Sequence, residues 1–191
     1  MKKILLTIFS AFLLNSAGFV EAADVEPFQL ALFSPLQTAS MENSVHGMRL
    51  NLIYGRNQDL KGLDIGLINS LEGDVKGLQF GLFNHAKGEV AAYQHAWMNY
   101  VGQNMYGYQA AGILNYVDES LTGLQGATAF NHAEDVYGVQ IAGVNHAKYV
   151  HGLQLGLFNF TDNLKGVQIG FINVQTNRQT FKVLPIINAY W

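Results

Sequence analysis

Gly77-Leu-Gln-Phe-Gly-Leu-Phe-Asn84 returns almost unchanged as Gly152-Leu-Gln-Leu-Gly-Leu-Phe-Asn159. With small exchanges it also appears as Gly62-Leu-Asp-Ile-Gly-Leu-Ile-Asn69 and Gly166-Val-Gln-Ile-Gly-Phe-Ile-Asn173. Self-similarity at a short fixed period marks a repeat architecture. Counted from the lead residue, units begin at Gly47, Gly62, Gly77, Ala92, Gly107, Gly123, Gly138, Gly152 and Gly166, a step of 15 residues with excursions to 14 and 16. A worn opening unit spans Pro27 to Ser34, and a worn closing unit, Phe181 to Asn188, keeps the 15-residue register from Asn173. Terminal repeats are atypical because they cap the stack, and prolines at both suit an edge that needs no N–H.

Inside each unit the residues alternate: Leu63, Ile65 and Leu67 point one way, Asp64, Gly66 and Ile68 the other. Period two is the mark of a strand. The apolar row containing Leu63, Ile65 and Leu67 is expected to face the core. A further apolar residue precedes each lead residue by two positions (Leu60, Val75, Val90, Met105), and the lead Gly permits a bend between the two stretches.

Two all-β architectures use such units. An antiparallel barrel repeats by hairpins, so alternate connections resemble each other; in a parallel solenoid adjacent coils are equivalent and length changes come in blocks. Blocks are what the sequence contains. The distance from lead residue to Asn is 7 in most units but 8 in the neighbours Gly107–Asn115 and Gly123–Asn131. The spacing therefore predicts an all-β, parallel β-solenoid of about ten coils with a 14–16 residue repeat. The alternative is a small outer-membrane antiparallel β-barrel, for which the terminal aromatic Trp191 and the number of short alternating strands argue. Three apolar positions per unit fall short of the roughly 9–11 residue strand a membrane needs.

Stacking at about 4.8 Å places identical residues over one another. Asn69, Asn84, Asn99 and their successors would form an amide ladder at a corner. Gln79, Gln94, Gln109, Gln125, Gln140, Gln154 and Gln168 would form another along a flat face, a candidate contact surface. The position after each Asn holds His85, Tyr100, Tyr116, His132, His146 and Phe160, a stack of flat rings and a second candidate surface. His132 and His146 would be close enough to share a metal, but the slot accepts any ring, so no metal site is assigned. The unit Ala92-Tyr-Gln-His-Ala-Trp-Met-Asn99 departs from the pattern, replacing both glycines with alanine and putting His95 and Trp97 on the parity expected to face the core.

Residues 1–22 read as an export signal: Lys2 and Lys3, an apolar run from Ile4 to Leu14, and small residues ending at Ala22. The organisation that follows is 23–46 as an N-terminal capping segment, 47–180 as tandem repeats and 181–191 as a C-terminal capping strand. An exported chain without cysteine has neither a disulfide framework nor a lipid-bearing cysteine. The composition, 49% hydrophobic and 13% charged, supports a continuous core, and a net charge of −3, small and scattered, gives no reason to expect nucleic acid or an anionic surface as partner.

The phrase Gly-apolar-Gln-apolar-Gly-apolar-apolar-Asn resembles the bacterial surface-repeat family of exported proteins found in spirochaetes, Bacteroides relatives and proteobacteria. Val45-His-Gly-Met-Arg-Leu-Asn-Leu-Ile-Tyr-Gly55 and the ending Leu184-Pro-Ile-Ile-Asn-Ala-Tyr-Trp191 strengthen the likeness. The resemblance implies a cell-envelope or surface location, and the export signal without cysteine suits a Gram-negative periplasm, outer membrane or cell surface. The resemblance brings no activity and no catalytic residues. The residues themselves supply none: Ser and Asp occur singly, with no nucleophile elbow, no paired carboxylates in a fixed spacing and no phosphate loop followed by a helix. The expectation is a non-enzymatic, cofactor-free envelope protein, a scaffold or adhesive surface whose partner is an envelope component, a glycan or a protein. The competing class is the small integral barrel that passes or binds a solute. Rows of rings and amides also suit a carbohydrate-binding module.

Overall fold

The computed structural model describes residues 24–191; the expected export signal lies outside the described residues. The strands are β1 (Val25–Phe33), β2 (Leu36–Gln37), β3 (Ser44–Asn57), β4 (Leu60–Leu71), β5 (Val75–Phe80), β6 (Phe83–Ala86), β7 (Val90–Val101), β8 (Met105–Val117), β9 (Ser120–Ala127), β10 (Phe130–Gln175) and β11 (Val183–Tyr190). Apart from β2, which folds back antiparallel on β1, successive coils from β1 to β10 pair parallel, like over like: Gly62 with Gly77, Gln79 with Gln94, Asn84 with Asn99, Tyr100 with Tyr116. The protein is a parallel β-solenoid, and the barrel alternative is set aside because the described residues form stacked parallel coils and no closed antiparallel sheet. β5 and β6 show the coil in its simplest form, two short strands joined by a corner at Gly81-Leu82 and followed by a second corner at Lys87-Gly88-Glu89.

The stack makes about eight turns rather than ten. The closing unit accounts for one coil of the difference. Phe181 to Asn188 keeps the sequence register, yet β11 runs antiparallel to the last coil, pairing Gln168 with Asn188 and Val174 with Val183. At roughly 4.8 Å per coil the eight turns give a rod about 40 Å long.

The lead glycines are required. Gly62, Gly77, Gly123, Gly138, Gly152 and Gly166 have φ between 132° and 146°, and a Cβ on any of them would run into the lead carbonyl of the coil below. L side chains avoid that backbone region. Ala92 occupies the lead slot of its coil without a positive φ.

The core reverses the expected parity. Gln79, Gln94, Gln109, Gln125, Gln140, Gln154 and Gln168 are fully buried, as is the Asn row, while Ile65, Leu67, Leu78 and Leu82 are exposed. Apolar packing comes from two other rows, the residue two before each lead position (Leu60, Val75, Val90, Met105) and the residue two after each Asn (Leu71, Ala86, Val101, Val117). The Gln row is therefore no contact surface. Burial of so many carboxamides is tolerable because each is hydrogen-bonded.

Candidate functional site

The interior consists of two amide ladders of opposite direction. Each Gln donates backward to its predecessor: Gln94 Nε2 to Gln79 Oε1 at 2.7 Å, Gln109 to Gln94 at 3.0 Å, and so on to Gln168 with Gln154 at 2.8 Å. Each Asn donates forward, from Asn69 to Asn84 at 2.9 Å through to Asn159 and Asn173 at 2.8 Å. The second Gly of the phrase makes room for the Asn row, since a Cβ on Gly81 would meet the carboxamides of Asn84 and Asn69. Chains of hydrogen bonds in a low dielectric reinforce one another. Saturated in this way, the interior offers no free polar group to a ligand along its middle.

Both ladders have closed ends. At the C-terminal end Asn188 of β11 donates to Gln168 Oε1 at 2.8 Å and accepts from Arg178 at 2.7 Å. Asn188 thus terminates the Gln row, not the Asn row whose register it shares in sequence. Near the N-terminal end the Gln slots of two coils hold Arg49 and Asp64. Asp64 accepts from Gln79 at 2.9 Å and from Asn51 at 3.0 Å, and burial pushes its carboxyl up while the Arg49 charge opposes that. Arg49 is pushed down by the same burial and donates to the carbonyl of Gly55 at 2.9 Å.

The ring row lies on the outer face of the coil's second strand rather than at a corner. His85–Tyr100, Tyr100–Tyr116, Tyr116–His132 and His132–His146 stack with centroids 5.2, 5.8, 4.3 and 5.0 Å apart, and Phe160 continues the row half-buried. Rings stacked on one another present edges outward, which gives a sugar no flat platform. Tyr100 donates to Asp118, and that bond pushes its hydroxyl up to about 12. His132 and His146 meet Nδ1 to Nδ1 at 2.9 Å, so one ring carries its proton there and the other accepts. Among the described residues no three His, Cys, Asp or Glu side chains converge to hold a metal ion.

What sequence reasoning missed is the outer apolar edge. Leu63, Ile65, Leu67 and Ile68, with their equivalents in other coils, wrap around the corner between the two strands and run the length of the rod. Its apex residues include Leu52, Leu67, Leu82, Trp97, Leu157 and Phe171, all exposed. An open notch of about 480 Å³ interrupts it between Trp97 and Ile141, floored by Ala110, Gly112 and Gly126. Gly112 and Gly126 have no positive φ, and a Cβ there would find only ordinary contact, so the fold does not demand these two glycines. One signal in the sequence separated the two faces. The buried Gln and Asn rows hardly vary from unit to unit, whereas the exposed row changes from Leu82 to Trp97 to Phe171. Interiors are close-packed and restrict side-chain volume; surfaces do not.

Comparison with protein-family models, with curated proteins and with solved structures finds no match to this chain.

Proposed function

We propose that this chain is a non-enzymatic structural protein of the bacterial envelope, a rigid rod that acts by contact along its apolar edge. The observation that carries the reading is the edge itself: large apolar side chains exposed coil after coil, on a scaffold whose inner polar groups are almost all hydrogen-bonded. A contiguous exposed apolar surface of this extent marks an interaction site. The expected export signal and the resemblance to bacterial surface repeats support an envelope location. The absence of any nucleophile–base pairing in the sequence supports a role by binding and not by catalysis.

Cell fractionation tests this. The protein should sediment with the envelope, and Leu67→Gln combined with Leu82→Gln should release it to the soluble fraction with its circular dichroism unchanged. A wild-type protein recovered free in the soluble fraction would sink the proposal.

A further inference from the structure

The rows that border the apolar edge narrow down its partner. On one side, the position just before the lead residue holds Lys61, Lys76, Tyr106, Tyr137, His151 and Lys165, and His46, Ala91 and Thr122 in the other coils, all exposed. On the other lies the row Arg56, His85, Tyr100, Tyr116, His132 and His146. Neither row contains a carboxylate. Between Gly47 and Gln175 every Asp and Glu except the buried Asp64 sits on the far side of the rod, as Asp59, Glu72, Asp74, Glu89 and Asp118 do. The cross-section thus runs from an apolar apex to an acidic back, with a flank of lysines and rings on one side and, on the other, a flank of rings whose Arg56 is ion-paired to Glu72 at 3.0 Å.

From this arrangement we infer that the edge docks on a lipid leaflet, with the rod lying in the plane of the membrane interface and its apex among the acyl chains. The inference rests on the contact role proposed above and names the partner. Aromatic rings and Lys or Arg favour the headgroup level, and cations beside an apolar face are drawn to anionic lipids. Exposure rises toward the apex, from 43% at Ile65 and Ile169 to 61% at Leu52, 62% at Leu157 and 74% at Phe171, as expected of a convex ridge. Convexity also argues against a second copy. Two ridges meet along a line, whereas a stable interface needs about 800 Å² of complementary surface per partner. The notch between Trp97 and Ile141 breaks even that line. A fluid leaflet closes around a ridge and fills a notch.

The chain has two tryptophans, Trp97 at the apex and Trp191 at the C-terminus, so a Trp191→Phe background makes Trp97 a depth probe. The full exported chain is mixed with phosphatidylcholine vesicles, with and without phosphatidylglycerol, whose acyl chains are brominated. The protein should float with the vesicles, more so with phosphatidylglycerol and less at raised salt, and Trp97 fluorescence should be quenched. The Leu67→Gln/Leu82→Gln variant should lose about tenfold or more in vesicle affinity. Flotation that leaves Trp97 unquenched would overturn the inference by placing another surface on the lipid. No flotation, for a protein that still fractionates with the envelope, would also overturn it and leave a protein partner for the edge. Strong self-association by light scattering without vesicles would transfer the edge to a second copy. Failure of the envelope fractionation itself removes the contact reading instead.

Discussion

Arg49 and Asp64 stand on adjacent rungs of the buried Gln row, with Arg49 Nε 3.5 Å from Asp64 Oδ1 and both side chains wholly out of water. The Gln ladder needs an acceptor at its start, and Asp64 provides it for Gln79. Arg49 balances the charge so created, through an ion contact longer than a hydrogen bond. Removing one partner of a buried pair strands the other, which costs about 3–5 kcal/mol. Arg49→Gln alone and Asp64→Gln alone should each destabilise by that order in urea unfolding. The double variant extends the amide ladder through both coils and should lie within about 1 kcal/mol of wild type, or above it. A double variant as damaged as the singles would mean that the pair holds the N-terminal coils in some other way.

The reversed parity makes an unusual pair of substitutions diagnostic. Gln125→Leu leaves Gln140 Nε2 without an acceptor and Gln109 Oε1 without a donor in the core, and should cost about 3 kcal/mol. Leu67→Gln places a polar group on an exposed apex and should change stability by less than about 0.5 kcal/mol. Thermal unfolding of the two variants side by side checks the sense of the whole interior.

The glycines sort into required and free. At Gly138, with φ of 146°, a methyl group would strike the Gly123 carbonyl, so Gly138→Ala should lose about 3 kcal/mol or more. At Gly126, which has no positive φ, the same change meets only ordinary contacts at 3.9 Å and should be neutral in stability. Equal losses at both positions would contradict the backbone geometry described.

Burial, followed by the neighbouring His146, lowers His132 below the usual 6.5, and burial likewise lowers His85. A lowered imidazole takes its proton at lower pH in the folded chain than in the unfolded one. Stability is therefore full above about pH 6.5 and declines as pH falls through the window below it, where the unfolded chain binds the proton first. A proton on whichever Nδ1 accepts would also remove the acceptor from the contact between the two rings. His132→Phe, which copies the ring found at Phe160, should flatten the fall in the urea midpoint between about pH 7 and 5. An unchanged slope would mean that the acid sensitivity arises elsewhere.

Much of this molecule was legible from residue spacing alone. The like-for-like pairing of Gly62 with Gly77 and of Gln79 with Gln94 follows from the period, and the block of lengthened units at Gly107 and Gly123 correctly pointed to parallel coils. The extra residue in each of those units lies at the apolar corner beside the notch. The candidate ring row from His85 to His146 does stack. The candidate Gln surface does not exist as a surface, because those side chains fill the interior. The final segment misled for a related reason: Asn188 falls in the right place along the chain, but the chain has reversed direction there.

The sequence by itself determined the repeat, the strand character, the parallel stack and the alternation of two faces. Alternation is symmetric, however, and says nothing about which face turns inward. Ranking by hydrophobicity puts Leu63, Ile65 and Leu67 inside, since a lone buried carboxamide is costly. Only in the stacked structure does each Gln and Asn meet an identical neighbour one coil away that both donates and accepts, which removes that cost. The tertiary structure thus decided the inside, and by turning the apolar row outward it created the edge through which we propose this protein acts.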